Sequence, residues 1–234
     1  MNLTLDIGNT AVKWATFEGR ELTAHGTGLP EELAGQAARV MVCASGDNAV
    51  VEQLAKLNAS VTVLQPPYGQ LPVSLDYKTP ESLGADRIAD ACGARSLYPG
   101  ADCLIIDAGT CITVDYLDAE GVYHGGAIMP GVGMNLRALH TFTAKLPLIE
   151  LSDTPKAPVL GRSTEECIVA GTLGAAMLAL AGYVVLYKQR SPGLKVLLTG
   201  GDAHRLVAAG ATGWEYVPHL TLVGLNEIAN SAEC

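Results

Sequence analysis

Two short loops in the sequence carry the residue types that hold a phosphate group. Asp6-Ile7-Gly8-Asn9-Thr10 follows one apolar run, and Asp107-Ala108-Gly109-Thr110 follows another in the middle of the chain. In such a loop glycine lets the backbone approach a phosphate, Asn and Thr donate hydrogen bonds to its oxygens, and a carboxylate can hold hydrated Mg²⁺. Because an ordinary hairpin turn favours the same residue types, either loop alone is compatible with both interpretations.

The region around each loop has the same layout, and this repetition favours the phosphate interpretation. Turns at Gly19 and Gly121 come 13 and 14 residues after Asp6 and Asp107, each after a further predicted strand. A third, glycine-rich loop, Leu198–Asp202, follows a late apolar run. Internal similarity of this kind indicates duplication. Two phosphate-type turns followed by a Gly-Gly loop are typical of the actin-like ATPase and sugar kinase architecture.

Apolar periodicity and turn residues predict strands and helices in both halves of the chain. In the first half the predicted strands are Leu3–Ile7, Ala11–Phe17, Leu22–Thr27, Arg39–Ala44 and Ser60–Leu64, and the predicted helices are Ala49–Leu57 and Glu81–Leu97. In the second half the predicted strands are Cys103–Ile106, Ile112–Leu117, Val122–Ile128 and Lys195–Leu198, and the predicted helices are Met134–Thr143 and Ser163–Gln189. The pattern predicts an α/β protein with mixed sheets, divided near Tyr98–Gly100 into halves 1–100 and 101–234.

Composition narrows the class of protein. The net charge is −9, hydrophobic residues make up 49% of the chain, and no Lys/Arg-rich run occurs. A nucleic-acid binder usually has a basic face, so no nucleic-acid partner is expected. ATP remains compatible with an acidic chain, because backbone N–H groups and a divalent cation can hold its phosphates. The six cysteines show no metal-binding spacing, which indicates reduced thiols in a cytosolic protein.

One apolar stretch needs a separate interpretation. Ile168–Tyr187 is twenty residues without a charge, long enough to span a bilayer. It is rich in Gly and Ala, and it stands alone in a chain full of strand and turn signals. We therefore expect a helix buried in a core or a subunit interface rather than a membrane span. No signal peptide is expected either, because Asp6 interrupts the N-terminal apolar run.

Further motifs occur in a fixed order over nearly the whole chain. They are Asp76-Tyr77-Lys78, Gly84-Ala85-Asp86-Arg87, Gly125-Gly126-Ala127-Ile128-Met129-Pro130-Gly131, Leu146-Pro147 and Gly161-Arg162-Ser163-Thr164. Any one of these motifs is weak, but together with the two loops they closely resemble the type III pantothenate kinases. The resemblance implies duplicated ribonuclease H-like (actin-like) domains with mixed sheets and an interdomain ATP cleft. It also implies ATP-dependent phosphorylation of pantothenate at its primary hydroxyl, the first step toward coenzyme A.

The resemblance assigns roles to particular residues. The ATP phosphate loop would be Asp6, Ile7, Gly8, Asn9, Thr10, Ala11, Val12 and Lys13, with Thr110 as a further ATP contact. Pantothenate would be bound by Tyr77, Gly84, Ala85, Asp86, Arg87 and Thr164, with Asp86 also the proton acceptor. Asp107 would be the metal site, ligating the K⁺ or NH₄⁺ that the family needs besides Mg²⁺. The family implies a cytoplasmic homodimer with no membrane partner, and Ile168–Tyr187 is the candidate interface.

Each of these residues also has a purely structural interpretation. Asp86 and Arg87 could be a helix-start carboxylate beside a surface cation, and Tyr77 a plain strand aromatic. Cys111 and Ser163 depart from the family's commoner small residue and Asn, but no proposed catalytic group is missing. The remaining alternatives are another small-molecule kinase of the same superfamily, a non-catalytic regulatory relative, or a membrane protein built around Ile168–Tyr187.

Overall fold

The chain folds into two compact units, each with its own hydrophobic core. The computed structural model describes residues 1–8, 10–44, 49–58 and 60–231. The first unit comprises Met1–Ala101, Leu117–Gly125 and His219–Cys234, and the second comprises Asp102–Tyr116 and Gly126–Pro218. The fold is α/β with mixed sheets, as the sequence predicts.

A five-stranded sheet forms the centre of the first unit. Its strands are β1 (Asn2–Ile7), β2 (Val12–Glu18), β3 (Glu21–Thr27), β4 (Arg39–Ala44) and β5 (Val61–Leu64), in the order β3-β2-β1-β4-β5. The β1, β2 and β3 strands pair antiparallel, whereas β1, β4 and β5 pair parallel. Gly19, at φ 60°, is the first residue of the two-residue hairpin loop between β2 and β3, where positive φ favours glycine. The parallel strands end together, which places Asp6 beside the end of β4.

Helices cover both faces of this sheet. Leu3, Leu5 and Ile7 of β1 pack in one cluster with Ala34 of α1 (Glu31–Gln36) and Leu54 of α2 (Ala49–Leu57). The alternate residues of β1 and β4 point to the opposite face, where α3 (Ala85–Leu97) and α8 (Leu220–Ser231) contact β4 and β1. The second pair of helices therefore covers the face that carries Asp6.

Two glycines allow α3 and α8 to approach each other closely. A Cβ added at Gly224 would lie 1.7 Å from the carbonyl oxygen of Ala89, and one at Gly93 would lie 2.7 Å from that of Leu220. No side chain fits at either distance, so both positions require glycine. A hydrogen bond from Thr221 Oγ1 to Asp90 Oδ1, 2.8 Å long, also joins the two helices. This contact fixes the helix whose N-terminus carries Asp86.

The second sheet has six strands in the order β11-β10-β7-β8-β9-β6. They are β6 (Ser74–Leu75), β7 (Cys103–Ala108), β8 (Cys111–Leu117), β9 (Val122–Pro130), β10 (Lys195–Thr199) and β11 (Glu215–Tyr216). The β10 strand pairs parallel with both β7 and β11, and β6 pairs parallel with β9. The β10–β7 register sets Thr199 opposite Asp107, so the Gly-Gly loop begins beside the second candidate phosphate loop.

The second unit contains α4 (Val132–Thr141), α5 (Thr164–Val169), α6 (Ala175–Arg190) and α7 (Ala203–Ala208). Its core joins Leu104 and Ile106 of β7 with Leu180 and Val184 of α6. The apolar segment that the sequence predicts as one helix is α5 and α6 joined by a π-helical turn, Ala170–Gly174. Within that turn Thr172 Oγ1 donates to the carbonyl of Ile168 at 2.8 Å.

The apolar helix is only partly buried, which differs from the expectation of a buried helix. The continuous helical stretch Thr164–Arg190 is long and apolar enough to cross a membrane. Of its apolar 18-residue segment, 39% is buried inside the protein. Leu178, Val185 and Leu186 are 65%, 57% and 59% exposed. One side of the helix therefore completes the core of the second unit, and the other side is an uncovered apolar face.

Most predicted elements are confirmed, with one further correction. The helix predicted over Glu81–Leu97 begins only at Ala85, because Pro80–Ser82 forms a 3₁₀ turn and Gly84 is extended at φ −65°, ψ 137°. The β1-β2-β3 and β7-β8-β9 modules match the predicted repeat of a strand, a loop and two strands. The division into halves 1–100 and 101–234 stays a prediction, because it concerns an internal duplication of the sequence. The two compact units are defined by contacts instead, and α8 belongs to the first of them.

Candidate active site

Asp6 lies near the end of β1 with one neighbour on each side in the sheet. The register places it opposite Lys13 of β2 and Cys43 of β4. The thiol of Cys43 donates to Asp6 Oδ1 across 3.4 Å. Burial raises the pKa of the Asp6 carboxyl, the Lys13 charge and the thiol hydrogen bond oppose that rise, and the charge of Asp86 adds to it. A half-buried carboxylate in this position can bind a cation, or it can accept hydrogen bonds from the groups that hold a bound phosphate.

The loop after Asp6 has described residues on both sides of position 9, and two of them are exposed to solvent. The N–H of Gly8 donates to the carbonyl of Ala11 at 3.1 Å, and Thr10 and Ala11 are exposed while Val12 and Lys13 are half-buried. A Cβ at Gly8 would make only an ordinary 3.5 Å contact with the Ala11 carbonyl oxygen. The fold thus does not require glycine here, whereas a loop that admits a phosphate benefits from it. The predicted phosphate contact at Asn9 lies outside the described residues.

Asp86 is the second residue of α3. It therefore lies in the first turn, where the backbone N–H groups have no hydrogen-bond acceptor within the helix. Its Oδ1 accepts from the N–H of Arg87 at 2.9 Å, and the side chain is half-buried. A Cβ at Gly84, the N-cap residue, would lie 2.5 Å from that same oxygen. Gly84 therefore leaves space for the carboxylate, while the helix N-terminus is a favourable place for its negative charge. Ala85, between them, is half-buried in the first turn.

Arg87 is a buried cation and not the surface cation of the structural interpretation. The residue is 6% exposed. Its guanidinium carbon lies 6.0 Å from the ring centre of Tyr77 and 5.9 Å from that of Tyr123. The two rings are themselves 6.0 Å apart and tilted by 48°. Cation–π attraction at such distances is favourable, most of all away from water. Tyr77 is thereby held beside the first turn of α3.

A pocket adjoins Asp86 within the first unit. It encloses about 270 Å³ and is lined by Cys43, Ala44, Leu64, Gln65, Pro66, Glu81, Ser82, Leu83, Gly84, Ala85 and Asp86. Tyr68, which donates to the carbonyl of Leu83, has its pKa raised to about 12 by burial and by the nearby Asp86 charge. The pocket thus has apolar side chains and two carboxylates, Glu81 and Asp86, in its lining, a combination that suits a small polar molecule with an apolar middle.

In the second unit Asp107 and the Gly-Gly loop approach each other closely. Gly200 has φ 99°, and a Cβ there would lie 2.2 Å from Asp107 Oδ1 and 2.4 Å from the Ala108 carbonyl oxygen. The N–H of Asp202 donates to the same Ala108 carbonyl at 2.8 Å. Only glycine can occupy position 200, because both its φ and the space around it exclude a side chain. Carboxylate and carbonyl oxygens so arranged are hard ligands, which fit K⁺ or Mg²⁺ and not a soft metal.

The turn after Asp107 is held by a second glycine. A Cβ at Gly131 would lie 2.4 Å from the carbonyl oxygens of both Gly109 and Thr110, and the N–H of Gly131 donates to the Thr110 carbonyl at 3.1 Å. The Thr110 residue is exposed. Across residues 1–8, 10–44, 49–58 and 60–231, no group of three or more His, Cys, Asp or Glu side chains could hold a metal ion.

Thr164 is the first residue of α5 and is exposed. The helix that the sequence predicts from Ser163 begins one residue later, because Ser163 is its N-cap, and the Ser163 Oγ accepts from the N–H of Glu166 at 3.1 Å. In return a Glu166 carboxylate oxygen accepts from the N–H of Arg162 at 2.6 Å. This variant of the capping box fixes the chain direction just before Thr164. The side chain of Thr164 is left at a helix start, where N–H groups favour an anionic ligand.

The structure brings some of the predicted residues together and adds others. Asp86 lies close enough for its charge to raise the pKa of Asp6, and the guanidinium of Arg87 lies over the ring of Tyr77. Sequence reasoning missed Cys43, Tyr123 and the pocket wall. The end of β4 could be predicted, but which strand lies next to β1 could not, so nothing in the sequence paired Cys43 with Asp6.

Solved structures define the class of this fold. The chain is similar to a conserved putative Baf family transcriptional activator from Campylobacter jejuni, with a TM-score of 0.65, 19% identity and coverage of 99% of this chain and 98% of that one. It is also similar to a putative 2-dehydro-3-deoxygalactonokinase from Sinorhizobium meliloti, with a TM-score of 0.57, 12% identity and 99% coverage of both chains. At these identities the similarity shows the fold alone, and that fold agrees with the actin-like α/β architecture predicted from the sequence.

Sequence comparison gives the family. The sequence model of type III pantothenate kinase matches residues 31–185. A type III pantothenate kinase of Cytophaga hutchinsonii is 35% identical over 98% of this chain and 99% of its own length. Another, of Bacteroides fragilis, is 38% identical over 98% of both chains. The chain belongs to the type III pantothenate kinases.

Proposed function

We propose that Asp86 is the proton acceptor in the transfer of the terminal phosphoryl group of ATP to the primary hydroxyl of pantothenate. The activity itself, pantothenate phosphorylation in coenzyme A biosynthesis, is that of the family to which the chain belongs. The observation that carries the assignment is the position of Asp86: a half-buried carboxylate in the first turn of α3 that lines a pocket. Kinases of many folds place a carboxylate beside the accepting hydroxyl in this way.

The transfer requires one bond to form and one to break. The hydroxyl oxygen of pantothenate bonds to the γ-phosphorus, the bond from that phosphorus to the bridging oxygen of ADP breaks, and the hydroxyl proton passes to Asp86. The products are ADP and 4′-phosphopantothenate. Because the attacking and leaving oxygens must lie in line, positioning and electrostatic stabilisation supply most of the rate acceleration, and the base adds about 10²–10⁴-fold.

The phosphates of ATP would be held by the first loop, Asp6–Lys13, with Thr110 as a further contact. Backbone N–H groups and the Thr10 hydroxyl would donate to phosphate oxygens, and Lys13 would neutralise part of their charge. Mg²⁺, held by oxygen ligands such as the carboxylate of Asp6 and the phosphates themselves, would supply the charge that the acidic chain lacks. The openness of the turn at Gly8 supports this assignment.

Pantothenate would be bound by Tyr77, Gly84, Ala85, Asp86, Arg87 and Thr164. Its carboxylate needs donors, and the N–H groups in the first turn of α3, which begins after Gly84, are one source of them. Its apolar middle fits a pocket wall of Leu64, Pro66 and Leu83. Asp107 would ligate the monovalent cation, K⁺ or NH₄⁺, for which its carboxylate and the Ala108 carbonyl are suitable oxygen ligands.

The protein would work in the cytoplasm as a homodimer, with no membrane or nucleic-acid partner. The uncovered face of α6, which includes Leu178, Val185 and Leu186, supports this assignment because such apolar area in water favours association. A helix of the same composition could instead contact lipid. Cell fractionation distinguishes the two: the proposal requires the protein in the fraction that does not sediment with membranes.

The function is tested by ATP consumption of the purified protein, with and without pantothenate, in K⁺ and in Na⁺. ADP should form only when pantothenate is present. A panel of sugars, acetate and polyphosphate tests the alternative of another kinase of the superfamily, which predicts turnover with one of those instead. The alternative of a regulatory relative, like the putative transcriptional activator of Campylobacter jejuni, predicts no ATP turnover with any acceptor.

A further inference from the structure

The thiol of Cys43 is placed by the sheet against a residue of the phosphate loop. The β1 and β4 strands are parallel neighbours, and their register sets Cys43 beside Asp6. In adjacent parallel strands such neighbours point to the same face. That face is the one covered by α3, whose first turn carries Asp86. Three side chains from three separate elements thus meet at one end of the sheet.

The contact is a directed hydrogen bond and not simply proximity. Cys43 is 1% exposed, and its Sγ lies 3.4 Å from Asp6 Oδ1. The hydrogen bond runs from the Cys43 S–H to the carboxylate oxygen of Asp6. A protonated thiol beside an ionised carboxylate can act only as the donor. One of the two Asp6 oxygens is therefore tied to β4.

Fixing one oxygen determines where the other can go. The Asp6 carboxylate follows the apolar β1 core and has Asp86 as a like charge in range. The terminal bond of an Asp side chain has a broad, two-fold energy profile. Without a donor on the β4 side, only the charges of Asp86 and Lys13 would orient the carboxylate about that bond. With the donor, one orientation is favoured before ATP arrives, which reduces the cost of ordering the site on binding.

We propose that Cys43 is a positioning residue for nucleotide binding: its S–H holds the Asp6 carboxylate in the orientation that the phosphate loop needs. The inference rests on the proposed role of Asp6 in ATP binding. It makes Cys43 act through Asp6, without touching ATP itself. Its loss should therefore change the handling of ATP. Because the thiol also lines the pocket beside Asp86, a variant that fills the same space without a donor is needed to separate the hydrogen bond from the pocket wall.

Three substitutions at position 43 separate the hydrogen bond from the volume that the sulfur fills. Cys43→Ser keeps a donor, Cys43→Val fills the space without a donor, and Cys43→Ala removes both. The matched control is Cys103→Ala, which deletes an equally buried sulfur from β7 in the second unit. Thermal unfolding of each variant shows how much stability it loses, so that kinetic changes are compared only among folded proteins.

The measurement is the KM for ATP and the KM for pantothenate in the same coupled assay. Cys43→Val and Cys43→Ala should raise the KM for ATP by about 2- to 13-fold, the range expected when one ordinary hydrogen bond is lost, because a thiol is a weak donor. In Cys43→Val, which keeps the pocket wall filled, the KM for pantothenate should change less than about twofold, and Cys43→Ser should restore the ATP value. Fluorescent ATP analogue binding should follow the same order without catalysis.

The outcomes distinguish this inference from the proposed function. If the wild-type protein shows no pantothenate-dependent ADP formation, the proposed function fails, and analogue binding still tests Cys43. If the wild type is active but Cys43→Val matches it, or Ser, Val and Ala variants all behave like Cys103→Ala, then Cys43 only fills space and the inference is overturned. Equal rises in both KM values would overturn it as well. If Cys43→Ala does not fold, the Ser and Val variants decide.

Discussion

Gly125 offers a test of whether Tyr77 contributes to pantothenate binding. The residue lies within β9 at φ 83°, and a Cβ there would lie 2.8 Å from Cε2 and 3.0 Å from Cδ2 of Tyr77. Gly125→Ala therefore has two effects. The left-handed backbone costs about 1–2 kcal/mol for an alanine, and the Tyr77 ring must move by roughly 0.6 Å to reach an ordinary contact distance.

The two effects appear in different measurements. For a chain of this size the backbone cost should lower the Tm by about 2–8 °C. Because Tyr77 also lies against Arg87 and Tyr123, its displacement should disturb the pantothenate site. Misplacing a binding group by 1 Å can cost about 10²-fold, so a shift of this size should lower kcat/KM for pantothenate by about 10-fold, mostly through KM. The KM for ATP should not change.

Gly100→Ala is the matched control. Gly100 also has positive φ, 76°, but a Cβ there would meet nothing within 4 Å. It should lose a similar amount of stability and keep a normal KM for pantothenate. If Gly125→Ala binds pantothenate as well as Gly100→Ala does, or if both raise the KM equally, then Tyr77 is only a structural aromatic and its assignment to the substrate site is refuted.

Three other predictions concern the cation, the assembly and a pH-sensitive ion pair. Replacing K⁺ by Na⁺ should strongly reduce ADP formation, and Asp107→Asn should weaken that dependence; equal rates in both salts would contradict the assignment of Asp107. Light scattering at micromolar concentration should show a dimer, and Leu178→Glu, on the exposed face of α6, should give a monomer; a wild-type monomer would refute this interface. His124 donates to Asp118 and Asp76 at 2.7 and 3.2 Å, and the bond to Asp118 in particular raises its pKa. A raised His pKa in the folded protein adds stability that is complete below about pH 6.5 and is lost as the pH rises through the folded value. His124→Gln should therefore lower the Tm more at pH 6 than at pH 8.5, and a pH-independent difference would refute the charged pair.

The elements whose hydrophobic pattern is strong could be predicted from the sequence. Arg39–Ala44 and Ala49–Leu57 have the predicted bounds, because the first is a continuous apolar run after Arg39 and the second has apolar residues at helical spacing. The start of α3 could not be predicted, because periodicity continues back through Glu81 while Pro80 and Gly84 give the backbone another conformation. The π-helical turn at Ala170–Gly174 could not be predicted either, because the apolar run around it has helical composition throughout.

The candidate site was predictable in its residues but not in its neighbours. Motifs identified Asp6, Asp86 and Asp107, since loop chemistry is local in sequence. The contact of Cys43 with Asp6 depends on β4 adding beside β1, and that of Tyr77 with Arg87 depends on β6 pairing with β9. Pairing between distant strands is set by the whole fold and not by either segment. The functional roles of all these residues remain predictions.

The most direct test of the central claim is the kcat of Asp86→Asn for pantothenate phosphorylation. The substitution keeps the size of the side chain and an oxygen that can accept from the N–H of Arg87, but it removes the ability to take up a proton. We predict a loss of kcat of about 10²-fold or more, with ATP binding and the Tm nearly unchanged. Asp153→Asn, at a carboxylate that is 85% exposed, should retain full activity, and Asp6→Asn should impair ATP or Mg²⁺ handling instead. If Asp86→Asn keeps a near-normal kcat and loses only affinity for pantothenate, Asp86 positions the substrate and is not the base.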